Sequence, residues 1–200
     1  MSILPSTRAS LLVRIQDPGD AEAWRQFFDL YAPVVYGFAR KRGLQDADAA
    51  DLMQDVLRSV AGAAGRLNYD PLKGSFRGWL FTVTRNKVYN FLDKQRHHPR
   101  GSGDSGAQHR LEELPAPDNE RDEFDRDYER RRFAFAAERI RDEFHESTWQ
   151  AFWLTAVENL SAKDAGVKLN LSPGAVYVAK SRVIARLREE IEFLDSQVDR

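Results

Sequence analysis

Cysteine is absent from this chain of 200 residues. That excludes disulfides, thiolate zinc sites, cysteine nucleophiles and a thiol sensor within the chain, and it fits a reducing compartment. Long apolar runs are missing too. None approaches the roughly 20 residues that span a bilayer, and the opening MSILPSTR has no signal-peptide core, so the expectation is a cytoplasmic protein without membrane insertion. Charge of one sign is also lacking: 30 Lys and Arg against 31 Asp and Glu leave a formal charge of −1. A nucleic-acid surface must therefore come from local segregation of charge, not from overall basicity. Strand patterns are scarce, internal repeats are absent, and no Walker or nucleophile motif occurs. His97, His98, His109 and His145 have no metal-ligand spacing with acids. No catalytic residue, metal or cofactor is expected, and the chain is not read as an enzyme.

What is present is helical periodicity. Over residues 20–42, Trp24, Phe27, Phe28, Tyr31, Val34, Val35 and Phe38 recur at spacings of three and four. Leu52, Val56, Leu57 and Val60 repeat the pattern after the acidic run DADAADLMQD, until Gly62, Gly65 and YDPLKG break it. A third stripe runs from Phe76 through Trp79, Leu80, Val83, Val88, Phe91 and Leu92 to about Lys94. Three amphipathic helices with short connections make one bundle. Glycine, serine and proline then crowd the stretch from Pro99 to Pro117, which reads as a flexible linker. A charged helix, roughly residues 122–143, opens the second half. The expected fold is all-α, with small helical domains at 10–98 and 122–195 joined by a linker at 99–121.

Three helix starts follow in the second half. Ser147 with Gln150 and Ser161 with Asp164 form capping-box patterns, and Ser172 precedes Pro173. The short helix after Ser161, the connection through Asn170 and Leu171, and the longer helix from Pro173 give helix-turn-helix spacing. On the long helix, Val176, Ala179, Val183 and Leu187 should pack inward. Tyr177, Val178, Ser181 and Arg182 then face away, with Arg186 and Arg188 further along. Such a face can lie in a major groove, and its arginines can contact phosphates. A plain helical hairpin with a solvated basic face would give the same pattern.

Support lies in FRGWLFTVTRNKVYNFLDKQRHHPR, residues 76–100. Arg77, Arg85, Lys87, Lys94, Arg96 and Arg100 stand against the single acid Asp93, interleaved with aromatic residues. Cations attract phosphates and aromatic faces stack on unpaired bases, a combination suited to melted DNA. Trp79, Phe76 and Phe91 fit the buried stripe, whereas Tyr69 in the preceding loop is freer to stack. Asp46, Asp48, Asp51 and Asp55 lack the glycine and terminal glutamate of a calcium loop. Complementing the helix dipole and docking a basic protein partner both remain open for them.

These residues resemble a known family. DADAADLMQDVL is similar to the region-two helix by which sigma-70-family factors dock on the RNA polymerase clamp. GWLFTVTRNKVYNFLDKQR resembles the segment that melts and reads the minus-ten promoter element. LSAKDAGVKLNLSPGAVYVAKSRVIARLRE resembles the region-four helix-turn-helix, which reads the minus-thirty-five element. The three matches come in order over about residues 10–98 and 124–192. The short linker and the absence of regions one and three point to the extracytoplasmic-function group.

The resemblance implies core RNA polymerase and promoter DNA as partners and admits an anti-sigma protein. By position, it puts Asp51, Gln54 and Asp55 on the polymerase-docking surface. It sets Asn86 at the exposed minus-ten strand with Arg85, Lys87 and Arg96 along its backbone and Tyr69 as the loop aromatic, and Arg77 is expected among the minus-ten DNA-binding residues. Ser172, Pro173, Ala175, Tyr177, Val178, Ser181 and Arg182 would face the upstream element. Where many members carry Val-Lys-Ser-Arg, this chain has Val-Tyr-Val-Ala. The acidic far end of the linker, LEELPAPDNERDEFDRD, either mimics nucleic acid or stays solvated, with solvation favoured. A stand-alone helix-turn-helix regulator with a dimerising or sensing bundle is the rival reading.

Overall fold

The computed structural model describes residues 11–64, 76–96 and 118–198, and among them every regular element is helical. Tyr69 and the linker residues 99–117 lie outside the described residues. Chain contacts divide the molecule into two compact units, the first through Arg131 and the second Arg132–Asp195.

The first unit opens with the single turn α1 (Leu11–Arg14) and the long helix α2 (Ala21–Lys41). Asp20 caps α2 by accepting from the Ala23 amide at 2.9 Å, and Arg14 holds that carboxylate through two hydrogen bonds of 2.8 Å. The cap satisfies one of the amides that a helix start leaves unpaired. The apolar face of α2 buries Phe27, Leu30, Tyr31, Val34, Val35 and Phe38, while Phe28 stays exposed. Pro33 sits inside the helix and cannot donate to the carbonyl four residues earlier. That carbonyl, of Asp29, instead accepts from Arg131 Nε at 2.8 Å, so the gap in the ladder is closed by a side chain. Gly43, at φ +91°, makes the tight turn that leads to α3.

Helices α3 (Asp46–Ala64) and α4 (Phe76–Arg96) complete the expected three-helix bundle. Leu52, Val56 and Val60 are buried from α3, and Phe76, Leu80, Phe81 and Val88 from α4. Phe76 meets Phe27 and Tyr31 edge-on with ring centroids 5.8 and 5.5 Å apart, and Phe81 meets Phe38 at 5.8 Å. Trp79 and Phe91 are only half-buried. Trp79 tilts against the ring of Phe76 at the rim.

The charged helix α5 (Asp118–Ile140) begins earlier than the sequence suggested, and its first half adds a fourth layer to the first unit. Phe124 is fully buried, with centroids 5.7 Å from Phe38 and 5.5 Å from Phe81. Tyr128 stacks on Tyr31 at 5.4 Å. The division between the units falls inside α5, whose last turns belong to the second.

There a 3-10 turn (Arg141–Glu143) precedes α6 (Glu146–Phe152), which runs into a π-helical segment, Trp153–Val157. His145, not Ser147, caps α6: its backbone is extended, and its ring accepts from the Ser147 amide. The helix therefore starts two residues earlier than the capping-box pattern indicates, and Gln150 bonds Glu146 instead, at 2.7 Å. The unit ends with α7 (Ala162–Leu169) and α8 (Pro173–Val198).

Candidate nucleic-acid interface

The turn between α7 and α8 is built by three local devices. Ser161 accepts from the Asp164 amide at 3.1 Å and donates to that residue's carboxylate at 2.6 Å, a reciprocal cap on α7. Asn170 adopts the left-handed conformation at φ 55° and ends the helix. Ser172 then accepts from the Ala175 amide at 3.1 Å, starting α8. Ala151, Leu154, Ala165, Val176 and Ala179 form the core beneath, with Leu160, Leu169 and Leu171 packed around it. Val183 and Leu187 continue the buried stripe as expected.

The opposite face of α8 is open. Ser172, Pro173, Ala175, Ser181 and Arg182 are exposed, and Tyr177 and Val178 keep 62% and 52% of their surface. Large side chains held outward on a capped, well-packed helix have the form of a groove-reading face. Arg186 does not extend it. Its guanidinium bonds Glu143 at 2.7 and 2.8 Å and Glu190 at 3.1 Å, and these contacts raise its pKa above the ordinary arginine value. Glu190 is buried and takes a second bond from Arg139 at 2.6 Å. Arg186 is thus part of the unit's framework, sharing with Arg139 the pairing of a buried carboxylate.

In the first unit two of the α4 cations, Arg85 and Arg77, are paired as well. Arg85, only 8% exposed, donates to Glu120 of α5 at 3.0 Å and lies over the Tyr89 ring at 5.0 Å. Arg77 donates to Glu129 at 3.0 Å and lies over the Tyr128 ring. Lys87 and Asn86 are half-buried, and Asn86 Oδ1 is enclosed with no hydrogen-bond partner. Arg96 ends the helix, and its side chain lies outside the described residues.

Lys41 and Arg42, at the end of α2, join the same cluster. Lys41 pairs with Asp127 at 2.7 Å and Glu123 at 3.2 Å, and Arg42 with Glu123 at 3.0 Å and Glu120 at 3.6 Å. Hydrogen bonding to Asp127 raises the Lys41 pKa, and hydrogen bonding to Glu120 raises that of Tyr89. Partial burial pushes the Glu123 carboxyl up, but bonds from Lys41 and Arg42 outweigh it and hold the group below its ordinary value. The C-terminal part of the acidic stretch, expected to be solvated, is therefore paired: Glu120, Glu123 and Asp127 fall on one helix face beside Phe124 and Tyr128. That i, i+3, i+7 spacing was visible in the sequence, as was the Lys41-Arg42 pair, but only the fold brings them together.

On α3, Asp51, Gln54 and Asp55 stand exposed, away from the buried Leu52, Val56 and Val60. Arg58 pairs with Asp55 and donates to Gln54 at 3.3 Å. Among the described residues no group of three or more His, Cys, Asp or Glu could hold a metal ion, and no helix is long and apolar enough to cross a membrane.

The sigma-70 region 2 family matches residues 27–98, covering α2, α3 and α4. A sigma factor of Myxococcus xanthus, CarQ, is 31% identical over 185 residues, which span 91% of this chain and 97% of that protein. The chain belongs to the sigma-70 family of RNA polymerase sigma factors, in the extracytoplasmic-function group. The extracytoplasmic-function sigma factor RpoE of Cereibacter sphaeroides is 34% identical over 87 residues, 44% of this chain and 47% of that protein. The present chain is an alternative sigma factor of transcription initiation, and sigma factors as a class are not enzymes. The Myxococcus match runs across both units, which a regulator merely borrowing a helix-turn-helix would not do.

Proposed function

We propose that this sigma factor binds core RNA polymerase through the exposed acidic face of α3, with Asp51, Gln54 and Asp55 as contacts. Residues 10–98 act as region two and, within residues 122–195, the unit from Arg132 acts as region four, with residues 99–121 and the first half of α5 connecting them. Arg77, Arg85, Asn86, Lys87 and Arg96 of α4, with Tyr69 ahead of it, take the opened minus-ten strand. Ser172, Pro173, Ala175, Tyr177, Val178, Ser181 and Arg182 meet the minus-thirty-five duplex in its major groove.

The observation that carries the reading is the open face of α8 on a capped helix-turn-helix, in a chain matched nearly end to end by a sigma factor. The work is non-catalytic: unpairing DNA costs free energy that contacts with polymerase must offset, so the isolated chain should bind promoters weakly. The site of action is the cytoplasm, and either surface leaves room for an anti-sigma protein that masks it.

Permanganate footprinting of a promoter library checks the division of labour. Thymines around minus ten should become reactive only when the chain and core polymerase are both present. Reactivity with the chain alone, or none with both, contradicts the proposal.

A further inference from the structure

Glu120 is held by two hydrogen-bond donors of α4 and by an ion pair with the guanidinium at the end of α2. Arg85 Nε reaches Oε2 at 3.0 Å, Arg42 Nη2 lies 3.6 Å from Oε1, and the Tyr89 hydroxyl donates to Oε1. The side chains of Arg42 and Arg85 are only 12% and 10% exposed, so the anion sits in a built pocket and not on a solvated surface. The pocket is also incompletely used. Arg42 Nε is buried without a hydrogen-bond partner, its guanidinium lying 3.4 Å above the centre of the Phe38 ring. An enclosed donor without an acceptor is a standing cost, and an anion with more oxygens than a carboxylate would remove it.

A phosphodiester fits those requirements. It carries the same single charge on two equivalent oxygens, and its ester oxygens supply further acceptors for a second guanidinium nitrogen. Arginine suits this anion because its planar fork presents several donors at once. The surroundings favour a nucleic-acid strand over an acidic peptide. The Tyr89 ring beneath Arg85 is half-exposed, as a stacking surface for a base must be. Arg77, one of the other α4 cations, is likewise covered by α5, through Glu129 and Tyr128.

We propose that Arg42, Arg85 and Tyr89 form a phosphodiester site that α5 fills with Glu120, so that single-stranded DNA and the first half of α5 compete for it. This rests on the sigma reading above and deepens it in two ways. It adds Arg42 and Tyr89 to the strand-binding residues, and it makes release of α5 from α2 and α4 a condition of full access to the strand. Glu123 and Asp127, paired with Arg42 and Lys41, hold the same helix half in place and act with Glu120.

The test uses the full chain and a labelled abasic oligonucleotide, whose sugar-phosphate backbone offers phosphodiesters and no bases. Glu120→Gln keeps the shape and removes the charge, and should tighten binding about tenfold in anisotropy titrations. Adding Arg42→Gln should abolish the gain. Equal affinity of wild type and Glu120→Gln, or a gain that survives Arg42→Gln, overturns the proposal.

Hydrogen exchange on the unaltered chain gives an independent reading should Glu120→Gln misfold. Saturating oligonucleotide should deprotect the amides of residues 120–130, and binding that leaves them protected refutes the competition. Promoter opening by the wild-type chain with core polymerase separates the two ideas. If opening occurs while both tests above fail, the sigma reading stands and only the phosphodiester site falls.

Discussion

Gly166 offers a sharp test of the helix-turn-helix, because its lack of a side chain is required by distance and not by backbone conformation. A Cβ placed there would lie 2.6 Å from the Leu171 carbonyl oxygen, 3.6 Å from the Leu171 carbonyl carbon and 3.7 Å from the Pro173 nitrogen. These are main-chain atoms of the turn, and the turn is tied to the same residue: the Leu171 amide donates to the Gly166 carbonyl at 2.9 Å. Relief in Gly166→Ala must therefore move α8 relative to α7. Alanine in a helix interior is favoured by about 1 kcal/mol over glycine. Forcing an extra carbon into a packed contact costs about 1–3 kcal/mol, and an approach this close to fixed backbone belongs at the upper end. A net loss of about 1–2 kcal/mol remains.

Gly174 is the control, since the nearest atom to a Cβ there is Ser172 Oγ at 3.9 Å. Gly174→Ala should be neutral or stabilising by up to about 1 kcal/mol. Native-state hydrogen exchange of α6 to α8 reads the second unit separately from the first. Gly166→Ala should lower protection there roughly tenfold or more, as 1.4 kcal/mol corresponds to a factor of ten. A Gly166→Ala chain as protected as Gly174→Ala would refute the close approach and the turn geometry built on it.

Other expectations follow from single contacts. Phe124→Ala should cost about 3–5 kcal/mol in the stability of the first unit, read from hydrogen exchange of the α2 and α4 amides. A loss below about 1 kcal/mol would mean that α5 is not packed there. Ser161→Ala should lose about 0.5–2 kcal/mol through its reciprocal cap, and Ser147→Ala much less, since His145 caps α6. Glu123 sits below its ordinary value of 4.5, so its contribution is complete above that pH and is lost as pH falls through the lower folded value. Lys41 and Tyr89 sit above their ordinary 10.5 and 10.0, so theirs is complete below those values and is lost as pH rises through the folded ones. Protection of α5 amides should therefore be greatest between about pH 5 and 9, and a monotonic profile would contradict the pairing.

The helices were legible where apolar spacing and capping residues agreed. Tyr31, Val35 and Phe38 on α2 and Val176, Val183 and Leu187 on α8 are buried as their periodicity indicates. The first half of α5 was harder to read, because its apolar residues are sparse and its charges suggested solvation. Phe124 and Tyr128 four residues apart are enough to bury it, and the flanking Glu120, Glu123 and Asp127 find cations contributed by other helices. Such pairs connect residues some thirty to ninety apart in the chain, and local pattern carries no information about them. Arg186 differed from its expected exposed role for a similar reason: its partner Glu143 lies 43 residues away. The outward set on α8 needed only local information, since a helix with one buried stripe fixes its opposite face.

The most direct measurement is run-off transcription by purified core polymerase on a pool of promoter fragments, with and without this chain. New, discrete starts should appear with the chain. They should disappear when Asp51→Lys and Asp55→Lys are combined in a variant that melts like the wild type. No start on any fragment, together with tight polymerase-free binding of the chain to a palindromic duplex, would contradict the sigma reading and leave a stand-alone regulator in its place.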